Sequence, residues 1–453
     1  MIHMHLGDAA AAIGARMAGD NRWFEGVSTD TRTLTSGGLF CALRGPNFDG
    51  HDHLKEAQLK GACGVIVDRD VDTTLPTLTV DNARYALGAL ARAWRRQFAI
   101  PVVGVTGSSG KTTVTEMIAA ILRTNAPTLA TDGNLNNDIG VPKMLFQLDD
   151  RHEFAVIEMG ANHVGEIEWL TQVAQPMVGV ITLCAPSHLE GFGSIERIAR
   201  AKSELYAGLL AGGSAVINAD DDFADYWREI ARGHRVVRFG LKKSADVFAA
   251  NISNCGIGNG MHFTLRTPTS CIDVKLPFDG VHNVSNALAA AAVAFVLNIE
   301  PPAIKSGLES ARNINGRLSL RIGLDGSRII DDTYNANPAS LAAAVDVLAS
   351  VPGERWLVLG DMGELGADAA ELHAIAGRGV RDAGIERFYT FGYLAEKAAV
   401  AFGDGAEHFA TMDTLIEALN KDLHNQVTLL IKGSRSAHME RVIDALVEER
   451  LAC

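Results

Sequence analysis

Val102-Val103-Gly104-Val105, followed at once by Thr106-Gly107-Ser108-Ser109-Gly110-Lys111-Thr112-Thr113, decides how this chain is built. A short β-branched apolar run is the pattern of a strand buried on both faces of a parallel sheet. Glycines followed by Lys-Thr at the head of a helical segment form a loop whose backbone N–H groups can close around phosphates, helped by the positive end of the helix. In that frame Gly107, Ser108, Ser109, Gly110 and Thr113 shape and line the loop. Lys111 reaches the β and γ phosphates of a nucleotide, and the Thr112 hydroxyl can hold Mg²⁺. The stretch departs from the full GxxxxGK[ST] pattern: Val105 occupies the first glycine position and Gly104 comes one residue early. That departure points to a subfamily with a shorter GxxGKT loop.

Outward from this loop the pattern is α/β. On its N-terminal side, short β-like runs at 27–29, 38–43, 64–67 and 77–80 make a small α/β unit, and a helix-like stretch with Leu87, Leu90, Ala91 and Trp94 leads into the buried strand. On its C-terminal side, apolar runs at 154–158, 178–183, 215–218 and 236–239 alternate with helical segments, the signature of a largely parallel sheet covered on both faces. Helices at 281–297 and 302–311 close this unit. After the loop Asn313-Ile314-Asn315-Gly316 a second alternating series begins, with strands at 328–330, 356–360, 387–391 and 427–431. It reads as a Rossmann-like domain without a GxGxxG fingerprint, so nicotinamide binding is unsupported. At 453 residues the chain fits about three domains of roughly 150 residues. The boundaries are read as 1–81 (small α/β domain), 82–312 (central phosphate-loop, parallel-sheet domain) and 313–453 (Rossmann-like domain).

Composition narrows the function. A formal charge of −13 argues against holding nucleic acid through its phosphates. The cysteines Cys41, Cys63, Cys184, Cys255, Cys271 and Cys453 show no CxxC pairing and read as reduced thiols, most of them core packing. Neither a basic-then-apolar leader nor a membrane-length apolar run is present, so a cytoplasmic protein with no membrane insertion is expected.

Two further side chains fall at the carboxyl ends of strands, where open α/β sheets gather their ligands. Glu158 ends the run 154–158 and stands where it can share a Mg²⁺ with Thr112. His188 follows the next strand across Ala185-Pro186-Ser187; alone it reads as structural, beside Glu158 and the phosphate loop as a metal ligand. Lys202, early in the helical stretch 195–210, reads by itself as an ordinary solvated lysine, and Arg317 as a surface arginine in a Gly-flanked loop.

The segments Ser28-Thr29-Asp30-Thr31-Arg32, 106–113, Gly133-Asn134-Leu135-Asn136-Asn137, Glu158-Met159-Gly160-Ala161-Asn162-His163, His188-Leu189-Glu190-Gly191, His282-Asn283-Val284-Ser285-Asn286, Gly316-Arg317-Leu318, Asp331-Asp332-Thr333-Tyr334-Asn335-Ala336-Asn337 and Lys432-Gly433-Ser434-Arg435-Ser436 together resemble the Mur ligases over the whole chain. The resemblance implies an ATP-dependent carboxylate–amine ligase acting through an acyl phosphate. Lys111, Glu158, His188, Lys202 and Arg317 would be its catalytic set. Two Mg²⁺ ions would be held by Thr112, Glu158, His188 and a carbamylated Lys202. Asn283 would contact adenine, Asp332 the ribose and Arg317 the γ phosphate. Ser28, Asp30, Thr31, Arg32, Asn134, Asn136 and Asn137, otherwise polar turns, would hold UDP-N-acetylmuramoyl-tripeptide. Asn335, Asn337, Ser434 and Arg435 would receive the amine, and the absence of Asp-Asn-Pro-Arg favours D-alanyl-D-alanine over a free amino acid. A monomer is expected. Another amino-acid or folylpolyglutamate ligase, and a non-ligating P-loop ATPase or switch, stay open as alternatives.

Overall fold

The computed structural model describes residues 1–312 and 314–447; Asn313 of the expected linking loop, and Cys453, lie outside the described residues. Three sheets organise the chain into a three-domain α/β fold.

The central sheet has nine strands, and the phosphate-loop strand Val102–Thr106 lies third from one edge, between Phe154–Glu158 and Val178–Ile181, parallel to both. All five of its residues are buried, so the β-branched run fits a two-sided apolar environment. The chain leaves this strand for one edge and later returns on its other side. A crevice therefore opens at the carboxyl ends of Val102–Thr106 and Val178–Ile181, the topological switch point of the sheet. Helices Lys111–Arg123 and Val281–Val296 cover one face of this sheet, packed against each other. The second is alanine-rich, and Ala287 and Ala290 to Ala292 are fully buried; small side chains let the two helices approach closely. No helix among the described residues is long and apolar enough to cross a membrane.

Beyond Arg235–Gly240 the sheet continues through Val247–Asn254 into two antiparallel strands, Met261–Arg266 and Cys271–Leu276. The parallel reading of this domain missed that extension. Val247–Asn254 is solvated over most of its length and shows neither an apolar run nor clean alternation. Cys271 is exposed in its last strand and Cys255 in the turn between Val247–Asn254 and Met261–Arg266, so these two thiols do not pack a core, whereas Cys41 and Cys63 do.

The C-terminal sheet places Arg328–Asp332, Val427–Lys432, Glu354–Gly360, Arg387–Phe391 and Ala406–Phe409 side by side in parallel, with Ser319–Ile322 antiparallel at one edge. The N-terminal sheet has five strands, four of them parallel. Its apolar face does not close on itself: Ile2, Leu6 and Leu39 join Leu87, Trp94, Met144 and Ile157 in one continuous core shared with the central domain. Ile2 N–H donates to the Phe146 carbonyl at 2.6 Å across that junction.

Candidate active site

The phosphate loop is built tightly against the neighbouring strand. Ser108 N–H donates to the Leu183 carbonyl (2.9 Å), the Ser108 hydroxyl to the Ala185 carbonyl (2.9 Å), and Thr182 Oγ1 to the Ser109 carbonyl (2.5 Å). A Cβ at Gly107 would stand 1.8 Å from Thr182 Oγ1, so only glycine fits there. Gly110 caps helix Lys111–Arg123 at φ 79°, over the Asn286 amide. Lys111 Nζ bends back to the Gly107 carbonyl at 3.0 Å. Burial lowers its pKa, opposed by Glu158 and reinforced by Arg317.

Glu158 and His188 line the same cleft as this loop. Glu158 is buried; Oε1 accepts from Asn136 Nδ2 at 2.7 Å, while Oε2 is buried without a hydrogen-bond partner. Ser187 Oγ is likewise buried and unpartnered. A buried carboxylate oxygen with no donor is costly in a protein interior and suits a cation. The donors available here, a carboxylate, the Thr112 hydroxyl and a ring nitrogen, are mainly hard oxygens and fit Mg²⁺, which keeps several waters and phosphate oxygens of its own. No group of three or more His, Cys, Asp or Glu side chains forms a metal site among the described residues, so any complete site draws on other donors.

Lys202 is not the solvated lysine its isolated reading gave: it is 3% exposed on helix Ile195–Ala207, within electrostatic reach of Lys111. Burial, assisted by the charge of Lys111, brings its pKa down to about 7. His188 sits at φ 51° and is held below its ordinary pKa by burial, Lys111 and Lys202 also disfavouring the imidazolium while Glu364 opposes them. Its Nδ1 lies directly against the Glu364 carboxylate of the C-terminal domain, close enough for an ion pair although not turned into hydrogen-bond alignment.

The C-terminal domain closes onto the loop at two points. Arg317 Nη2 donates to Thr112 Oγ1 at 2.7 Å with its guanidinium 4.2 Å from the Tyr334 ring, and Asn337 Nδ2 donates to Ser109 Oγ at 3.2 Å. Asp332 is buried, bound through Oδ2 to Lys432 Nζ and through Oδ1 to Leu318 N–H. Burial raises its pKa against the opposing pull of Lys432. Two compartments result. One, of about 510 Å³, contains the phosphate loop, Glu158, Asn283 and Asp332. The other, of about 940 Å³, is bounded by Asp132 to Asn134, Glu364, Ser434 and Arg435. Thr112, His188, Arg317, Tyr334, Asn335 and Asn337 border both and form the partition between them.

The remaining expected contacts divide. Asn283 is buried, its amide spent on the Asp279 carbonyl (2.8 Å) and Asn286 (2.9 Å). Asn136 holds Glu158, and Asn137 Oδ1 caps the helix Gly140–Leu145 by accepting from Gly140 N–H at 2.8 Å, which leaves Asn134 as the asparagine of that loop on the larger compartment. Ser28, Asp30, Thr31 and Arg32 lie outside the linings of both compartments. There Ser28 Oγ donates to the Asp30 carbonyl at 2.8 Å, and the Arg32 guanidinium holds the Asp30 carboxyl down at a pKa of about 2. Sequence reasoning missed Tyr334, Glu364 and Lys432; the first and last stood inside quoted motifs, whereas nothing local in Met362-Gly363-Glu364-Leu365 marks a residue that works across a domain boundary.

A strand–loop–helix phosphate site, a buried carboxylate beside a part-buried imidazole, and an arginine delivered by a separate domain define the architecture of a Mur-type ligase, and the chain belongs to the Mur ligase family: residues 105–294 match its middle domain, 316–435 its glutamate ligase domain and 24–95 its catalytic domain. The chain is 43% identical over 451 residues to the UDP-N-acetylmuramoyl-tripeptide–D-alanyl-D-alanine ligase of Escherichia coli (strain K12), covering 99% of each, and 34% identical over 437 residues to that of Bacillus subtilis (strain 168), covering 94% of each. Among solved structures it is similar to MurF from Acinetobacter baumannii (TM-score 0.93, 37% identity, 98% of each chain). It is also similar to MurF ligase from Thermotoga maritima in complex with ADP (TM-score 0.84, 28% identity, 93% of this chain and 96% of that one).

Proposed function

We propose that the chain joins the terminal carboxyl of UDP-N-acetylmuramoyl-tripeptide to the amine of D-alanyl-D-alanine at the expense of ATP. The observation that carries this reading is the partition: one set of side chains borders both a phosphate-loop compartment and a larger one floored by C-terminal-domain loops. ATP fits the first, with Asn283 and Asp332 on the nucleoside side. The acyl donor and the amine meet in the second, with Asn134 on the sugar–peptide side, Asn136 and Asn137 beside it on the phosphate-loop compartment, and Asn335, Asn337, Ser434 and Arg435 on the amine side. Ser28, Asp30, Thr31 and Arg32 bind the uridine end.

The donor carboxylate attacks the γ phosphorus of ATP, the bridging β–γ P–O bond breaks, and an acyl phosphate and ADP form. The amine then attacks the acyl carbon, phosphate leaves and the nitrogen loses a proton. Lys111 and Arg317 approach the transferring group from opposite domains and spread its charge, the main source of rate in phosphoryl transfer. Thr112, Glu158 and His188 would hold two Mg²⁺, which when bound neutralise phosphate charge. The Lys202 amine, near-neutral because it is buried, adds CO₂ with loss of a proton to give a carbamate, a second anionic donor in a region otherwise rich in cations. Closure of the Arg317 and Asn337 contacts over the loop excludes water from an acyl phosphate that would hydrolyse. The enzyme works as a cytoplasmic monomer.

The test is phosphate release from MgATP with the UDP-muramoyl tripeptide, with and without D-alanyl-D-alanine, alongside the product mass. Release that needs both substrates, and a product of their summed mass less water, is expected. Release indifferent to either, with no new amide, would overturn the reading and leave an ATPase. A folate acceptor in place of the nucleotide-sugar is expected to give no product.

A further inference from the structure

His188 and Glu364 belong to different domains, yet the imidazole Nδ1 rests directly on the carboxylate. Both residues have left-handed backbone, φ 51° and φ 60°, although neither is glycine. Non-glycine residues are held in that region when the surrounding structure over-determines them, commonly at functional sites. The two turns are also docked backbone to backbone, Glu190 N–H donating to the Glu364 carbonyl at 3.3 Å. The side-chain contact is therefore additional to a latch that exists without it.

The contact selects between the two tautomers: a ring nitrogen lone pair set against a carboxylate oxygen would be repelled, so with Nδ1 turned into alignment the neutral imidazole carries its proton there. Nε2 is left as the ring's donor to an ion. An imidazole that ligates a metal through one nitrogen commonly rests the other on a carboxylate, which orients the ring and raises its basicity. Resting on the reading of His188 as a Mg²⁺ ligand, we propose that Glu364 is a positioning residue that completes the surroundings of His188 only when the C-terminal domain is closed, so that domain closure and metal affinity are coupled. Among the described residues, Glu364 is the carboxylate in ion-pair contact with the His188 ring. By thermodynamic reciprocity, whatever closure adds to metal affinity, the metal adds to closure.

Glu364 is 54% exposed on a loop, so its replacement leaves the cores intact. The probe is Mn²⁺ followed by paramagnetic resonance, with and without adenylyl imidodiphosphate, in wild type, Glu364→Ala and Glu364→Gln. Closure is read in parallel from energy transfer between dyes on the central and C-terminal domains. With nucleotide, Glu364→Ala is expected to bind Mn²⁺ about tenfold more weakly and to lose the metal-dependent part of closure, with Glu364→Gln intermediate. Mn²⁺ alone, without nucleotide, is expected to bind all three alike. Mn²⁺ affinity in Glu364→Ala within twofold of wild type overturns the proposal and leaves the contact as a plain latch. A wild type that takes up no Mn²⁺ with nucleotide overturns the metal reading of His188, and this inference with it.

Discussion

Replacing Lys202 by methionine removes a buried amine while keeping its length, and the pH dependence of stability that should vanish with it can be worked out. Lys202 is 3% exposed, and burial together with Lys111 brings its pKa to about 7, against 10.5 for an ordinary lysine. The folded value is the lower one. Between about pH 7 and 10.5 the unfolded chain therefore binds more protons at this site, and stability rises with pH through that window; below pH 7 the whole penalty stands. The penalty is about 4 kcal/mol at pH 7 and falls to about 2 kcal/mol by pH 9. In CO₂-free, chelator-treated buffer, urea unfolding at the two pH values should show the wild type gaining about 2 kcal/mol more than Lys202→Met on the same change. Parallel curves for the two proteins would refute a desolvated, near-neutral amine, and with it the physical basis for carbamylation. Bicarbonate at pH 8 is expected to shift the wild-type curve and leave the methionine variant where it was.

Three other outcomes are expected. Arg317→Ala, which removes the guanidinium that bridges Tyr334 and Thr112, should lower kcat by about 10³-fold with a much smaller change in the KM for ATP, as phosphate-release kinetics would read. Gly107→Ala forces a methyl onto Thr182 Oγ1 and should weaken ATP binding at least about tenfold by calorimetry, with part of the loss recovered in the Gly107→Ala/Thr182→Ala pair. Asp332→Asn strands Lys432 as a buried, unpaired charge and should cost about 3–5 kcal/mol in urea unfolding, much of it regained when Lys432→Met is added.

The parts of the fold that bury both faces of a strand could be read from the chain. Val102–Thr106, Phe154–Glu158 and Val427–Lys432 are wholly or almost wholly buried, and each appeared as an apolar run. The antiparallel arm could not, because a strand such as Val247–Asn254 is fixed by its pairing with Met261–Arg266 and carries little pattern of its own. The phosphate loop was legible because its chemistry is local: glycine, lysine and threonine act within a few residues of one another. Lys202 was not read as a buried amine although it stands four residues after Ile198 and three before Leu205 on the buried face of its helix, because the charge of a lysine outweighed that spacing. Glu364 and Lys432 act on partners 176 and 100 positions away, at His188 and Asp332: the first pair meets only in the closed arrangement of domains, the second through the register of neighbouring strands in one sheet.

The core that runs unbroken from Ile2 and Leu6 through Leu87 and Trp94 to Met144 and Ile157 decides where this chain can be cut and recombined. Severed after residue 81, the remainder would present the apolar side of helix Ala83–Arg95 and the edge around Phe146 to water, an adhesive surface rather than a domain boundary. A chimera that borrows its first module from another ligase must therefore carry that helix across as well, and match the side chains beneath it. The N-terminal domain and the phosphate-loop domain are in this sense a single mechanical part.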